Sequence, residues 1–369
     1  MTNRAIRIAT TAAVAVATGA GALLVPGSAH AAPTYRVSST PAGVVSGGEL
    51  AIDQGRKRLF IADNNASMRT TGKDFIPSND PVRPAVSVFD TATQRPVRRI
   101  DLSNQPGGLM MIGSVPLIPT AQVPDGIAID PKRGRVLVTN AHASGLTVFN
   151  MSATKVGPGN LIDLPTSHPM GAVANTDSGR FYVGLNGTNK VAIVNTATGR
   201  LVGEIPNLYK ASFLDVDLSR NRLYVGNADY EAKKNNFVAV IDMRTNRVIK
   251  KITTPSNSRP KVDPTTGKIW ASSFDTGKIS IIDPVSLRIV KTINTGTTPA
   301  KLAIDAQRRL VYTANLQKKS ITVINADTGA ILATIPTGKA IHTVVVDQST
   351  GVVYGTQHIG RNLTILTPR

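Results

Sequence analysis

The sequence predicts an all-β protein: a seven-bladed β-propeller of four-stranded antiparallel blades, with the ring closed by the N-terminal strand. Three observations predict it. A two-part motif recurs seven times, a spare strand stands where the last repeat falls one strand short, and no 3.6-residue apolar period persists beyond residue 31.

The first half of the motif is a short apolar strand ending in Asp or Asn, a basic or Gly turn, and a second strand carrying an aromatic. It reads LAID to Asp53 with RLFIAD, IAID to Asp130 with RVLVTN, AVAN to Asn175 with RFYVGLN, and LDVD to Asp217 with RLYVGN. It continues as PKVD to Asp263 with KIWASS, LAID to Asp305 with LVYTAN, and VVVD to Asp347 with VVYGTQ. The second half ends at Asp90, Asn150, Asn195, Asp242, Asp283, Asn325 and Thr367. The first-to-second spacings are 37, 20, 20, 25, 20, 20 and 20 residues. Each unit therefore holds four short strands with turn residues between them. Seven such units on one chain close into a ring. The seventh has three strands before Arg369, and TYRVSST at 34–40 is the strand that completes it, hiding an open sheet edge.

YVGN at Tyr224–Asn227, LVTN at Leu137–Asn140 and VYTAN at Val311–Asn315 are followed by AVID, TVFN and TVIN, and the last of them by the strand TGAILATI. These residues resemble the YVTN repeat of secreted and surface-layer-type propellers, including the YncE-like proteins. The resemblance covers about residues 34–369 and implies the propeller fold; for function it implies little beyond ligand binding. Blade five departs from the pattern, because its first strand reads SRPKVD.

Residues 1–31 read as a secretory signal peptide. Arg4 and Arg7 precede an Ala/Val-rich run, and Ala29-His30-Ala31 is a small-x-small cleavage pattern. The expected mature protein is a single propeller domain at 32–369, secreted or associated with the cell envelope after cleavage near Ala31, monomeric and not transmembrane. Removing the leader lowers the formal charge from +19 to +17. The absence of Cys excludes disulfides, thiolate nucleophiles, Fe–S clusters and Cys-ligated zinc. HExxH, Walker, GxSxG and dinucleotide signatures are also absent, so an enzyme is the less favoured reading.

The recurrent Asp and Asn residues are expected to cap turns rather than bind metal. Phe60, Tyr182, Tyr224, Trp270, Tyr312 and Tyr354 share one repeat position and are expected to pack between blades. Residues that the repeat does not demand carry the functional signal. Insertions at about 64–84 and 103–124 fall on the top face, where the loops joining strands two and three meet those joining successive blades. All four His beyond the leader, His142, His168, His342 and His358, map to that face, with Glu49 and Asp125 at the start of inner strands beside the channel mouth. These six residues form a candidate ligand site. The cofactor stays open: His142, His342, His358 and Glu49 are candidate ligands for a transition metal such as Zn²⁺, Cu²⁺ or Fe²⁺. A Glu49/His342 acid–base pair is the alternative expected of a metal-assisted hydrolase or lyase.

The positive charge points to an anionic cell-envelope polymer as partner, beside a small ligand at the mouth. The basic residues are spread over both faces. Arg56, Lys57, Arg58, Lys132, Arg133, Arg220, Arg222, Arg308 and Arg309 fall on underside turns; Lys233, Lys234, Arg259, Lys261, Lys301, Lys318, Lys319 and Lys339 fall on top. No run exceeds three and aromatics do not interleave, so sequence-specific nucleic-acid binding is not expected; non-specific polyanion binding is a third reading. The primary reading is a secreted, non-catalytic binding or scaffold protein with its ligand at the top-face channel mouth.

Overall fold

The computed structural model describes residues 33–369, apart from 64–67, 72–73, 78–83, 106–107, 113–114, 121–123, 230–231, 233 and 359. The expected leader at 1–31 lies outside the described residues. Seven four-stranded antiparallel sheets follow one another along the chain. Blade one comprises Gly47–Asp53, Arg58–Asp63, Ala85–Asp90 and Arg95–Asp101, listed from the inner to the outer strand. Blade two comprises Gly126–Asp130, Arg135–Asn140, Gly145–Asn150 and the short Leu161–Asp163. The inner strands of blades three to six are Pro169–Asn175, Ala211–Asp217, Ser258–Val262 and Pro299–Asp305. Blade seven uses Ile341–Val346, Val353–Gln357 and Asn362–Pro368, and takes its outer strand from the other end of the fold. Tyr35–Pro41 pairs antiparallel with Asn362–Pro368, Tyr35 opposite Pro368, so the ring closes as the sequence predicts.

Burial explains the composition of each strand. The two middle strands of a blade are covered on both faces and read as apolar runs, as in Arg58–Asp63 and Ala85–Asp90. Outer strands face solvent, and Arg95–Asp101 and Arg247–Thr253 carry the Arg and Lys that blunt an exposed edge. Seven apolar clusters lie among the described residues, each joining two neighbouring blades. The repeated aromatics sit in them as expected, none more than 2% exposed. Trp270 is fully buried between blades five and six.

Every inner strand ends in, or is followed directly by, an Asp or Asn whose side chain accepts backbone N–H groups of the following turn, such as Arg56 N–H on Asp53 at 3.0 Å and Arg308 N–H on Asp305 at 2.9 Å. The turn arginine then serves two blades. Arg133 Nη1 donates to Asp130 at 3.0 Å and to the Thr176 carbonyl of blade three at 2.8 Å. Arg56 reaches Pro131, and Arg308 reaches Gln348, in the same way. Gly351, at φ +73°, makes room for this device: a Cβ there would lie 2.7 Å from Arg308 Nε. The underside cations that sequence alone leaves as dispersed surface charge are thus partly latches between blades.

The two insertions are more ordered than loops. Met68–Thr71 pairs with Asp74–Pro77, and Gly108–Ile112 pairs with Val115–Thr120, each a two-stranded hairpin. The apolar run Leu109-Met110-Met111-Ile112 suggests by itself that the second insertion packs down, and its side chains lie outside the described residues. Among the described residues no helix is long and apolar enough to cross a membrane.

Candidate functional site

A channel of about 750 Å³ runs along the ring axis, lined by the inner strands of all seven blades. Counting back four residues from each turn Asp or Asn places one position of every blade at the same level near the top. The occupants are Glu49, Gly126, Gly171, Phe213, Arg259, Lys301 and Thr343. Two residues deeper the wall is Ala51, Ala128, Val173, Ala303 and Val345, interrupted by Asp215 and Lys261. Small residues in the upper level follow from close packing: a Cβ on Gly171 would lie 2.6 Å from the Ser212 carbonyl oxygen. Blades four, five, six and one instead project large or charged groups.

These groups interlock. Lys301 Nζ of blade six donates to Glu49 Oε2 of blade one, across blade seven. Lys261 pairs with Asp215 at 3.2 Å, and the same carboxylate accepts the Val262 N–H at 2.7 Å. The Arg259 guanidinium lies 4.4 Å from the centre of the Phe213 ring and 5.8 Å from that of Phe274. It forms no hydrogen bond or ion pair among the described residues, and its Nε is buried without an acceptor. Burial opposes ionisation of Glu49, but Lys301, His342 and Arg259 outweigh it and hold the carboxyl below its usual range. Burial, with Arg259 and Lys261 nearby, pulls Lys301 down against the attraction of Glu49.

The four histidines separate into two pairs. His342 and His358 have ring centres 5.9 Å apart, and His142 and His168 have theirs 5.8 Å apart in an edge-on arrangement. Burial pushes His342 down to about 4, with Arg259, Lys301 and His358 adding to the effect and Glu49 opposing it. Burial also lowers His358, and burial with His142 and Lys210 lowers His168. Asp125 precedes the inner strand of blade two and accepts the Ala141 N–H at 3.1 Å. Burial and the charge of Glu49 raise its carboxyl against the pull of His142. Glu49 alone of the six predicted residues lines the channel; the others flank its mouth.

A transition metal would draw on one imidazole pair and an adjacent carboxylate. Among the described residues, no three His, Asp or Glu side chains stand close enough together to hold an ion. The residues missed as site members are Phe213, Arg259 and Lys301. Arg259 and Lys301 read in sequence as two more top-face charges, yet their count from the turn residue places them on the channel wall. Phe213 lies outside the repeated aromatic position, which was its signal.

Fold and mouth together define a class: a seven-bladed β-propeller whose axial channel carries charged side chains on its wall. No protein-family model matches the chain. The chain is 24% identical over 201 residues to the uncharacterized protein YncE of Salmonella typhi, and equally to that of Salmonella typhimurium. The match takes in 54% of this chain and spans 44% of the length of those relatives. In structure the chain is similar to a chain of Kuenenia stuttgartiensis hydrazine synthase, with a TM-score of 0.69 at 15% identity, covering 89% of this chain and 97% of that one. At that identity the likeness is one of fold alone. The weak relation to YncE and the seven-bladed ring together fit a YncE-like, YVTN-repeat propeller.

Proposed function

We propose that the protein is a non-catalytic binding module that takes a small ligand at the top mouth of its channel. One observation carries the reading: on a scaffold of near-identical blades, the upper wall is broken by Glu49, Phe213, Arg259 and Lys301 from four blades, and the Arg259 guanidinium, set against Phe213, has no hydrogen-bond or ion-pair partner among the described residues. A repeat that needs only small or apolar residues at this level has no structural call for a half-buried guanidinium whose Nε is desolvated without an acceptor, which opposes folding. The leader-like sequence at 1–31 and the formal charge of +19 support export and residence near an anionic envelope.

The test is a ligand-observed NMR screen of small polar fragments against the protein and its Lys301→Gln variant. Fragments lost in the variant, with its melting temperature kept, support a mouth site. Fragments that bind both proteins alike overturn it. N-terminal sequencing of protein recovered outside the cell addresses export: a start at Ala32 supports the reading, and full-length protein confined to the cytoplasm overturns it.

A further inference from the structure

We propose that the mouth selects a small monocarboxylate with an apolar body, its carboxylate held by Arg259 and its body set against the apolar channel wall. The inference rests on the mouth being the binding site and adds the class of ligand.

Charge bookkeeping comes first. Three cations line this arc, Arg259, Lys261 and Lys301. Glu49 neutralises Lys301 and Asp215 neutralises Lys261. Arg259 has no carboxylate among the described residues. One unbalanced positive charge calls for one negative charge. A dianion would leave a surplus facing Glu49 and Asp215, with Asp125 close enough to Glu49 to act on its ionisation.

Geometry narrows the choice further. The guanidinium is a planar fork suited to two parallel hydrogen bonds with a carboxylate, and Phe213 and Phe274 hold that fork in place. Its buried Nε is one donor awaiting an acceptor. His342 Nδ1 is also buried without a partner, within electrostatic reach of Arg259, and offers a second polar contact to the same head group. Below the mouth the wall is apolar over most of the ring, through Ala51, Ala128, Val173, Ala303 and Val345, and its one charged interruption there, Asp215 with Lys261, is already paired. Such a wall suits a hydrocarbon or aromatic body and offers little to a polyhydroxylated one. The cavity of about 750 Å³ leaves room for it.

Isothermal titration of the full protein with benzoate, benzyl alcohol and inorganic phosphate tests this. Benzoate is expected to bind roughly tenfold or more tightly than the neutral alcohol, and Arg259→Gln to lose at least that factor with its melting temperature unchanged. Benzoate is also expected to shield Arg259 from phenylglyoxal modification in the unsubstituted protein, a readout that needs no variant to fold. Phosphate bound in preference to benzoate, and lost in Arg259→Gln, overturns the carboxylate class while the mouth site stands. Benzoate binding untouched by both Arg259→Gln and Lys301→Gln overturns the ligand class and the site together. Failure of the unsubstituted protein to bind benzoate overturns the proposal.

Discussion

The two faces of the ring are built from the same repeat and treat charge in opposite ways. On the underside, each turn Asp or Asn is buried and accepts N–H groups of its own turn, and arginines such as Arg56, Arg133 and Arg308 link it to the next blade. The device is copied around much of the ring, as a structural role requires. On the top face the charged residues are not copies. Glu49, Arg259 and Lys301 occupy equivalent positions in three blades with three different chemistries, and one of them, Arg259, has no ion-pair partner among the described residues. Repetition marks what the fold needs, and departure from repetition marks what it can spare for a ligand.

Substitutions sharpen this contrast in descending order of effect. Trp270→Ala empties the junction between blades five and six and is expected to cost about 3–5 kcal/mol in urea unfolding; a cost below about 1 would break the account of the blade junctions. Asp263→Ala comes next. Its fully buried carboxylate takes both Nη atoms of Arg309, at 3.0 and 2.8 Å, and the Thr266 hydroxyl at 2.7 Å. Its loss is expected to cost about 3 kcal/mol, and restoring Asn should recover only the turn cap.

The top face should respond to pH rather than to truncation. His342 stays neutral in the fold down to about 4, whereas the unfolded imidazole takes up its proton near 6.5. The unfolded state therefore binds more protons between those values, and stability falls as pH drops through that window, on the order of 2 kcal/mol. Glu49, Lys301, Arg259 and His358 all act on this ring, so the comparison that isolates it is His342→Gln, in which the slope between pH 6.5 and 4 should flatten. The smallest effect is expected at Arg259→Gln, within about 1 kcal/mol at pH 7, because the contact with the Phe213 ring is lost but no hydrogen bond or ion pair among the described residues. A cost as large as that of Asp263→Ala would make Arg259 a structural residue and remove the distinction between the faces.

Architecture was legible because it is written seven times. The turn residues from Asp53 to Asp347 and the aromatics from Phe60 to Tyr354 each exclude a helix and fix a register. The closing strand was legible because TYRVSST had no partner elsewhere. The site was less so. A histidine shows itself by rarity, but ring position does not say which imidazoles meet; they meet as His142 with His168 and His342 with His358. Arg259 was harder to see, since one cation among 42 Lys and Arg carries no compositional signal. Its meaning comes from lying on the inner strand of blade five, the blade whose SRPKVD departs from the repeat. That departure was visible in the sequence and was read as irregularity rather than as a site.

The pairing of Tyr35–Pro41 with Asn362–Pro368 also sets an order on biogenesis. Of the two strands the one made first must wait, edge exposed, until about 320 further residues have followed it before its partner exists. No local hairpin can stand in for that partner, so the sealing step is the contact of greatest sequence separation in the fold, and the slow one. Until it occurs blade seven offers an unpaired strand edge to any neighbouring nascent chain, which makes the interval before closure the period of greatest exposure to proteases and aggregation.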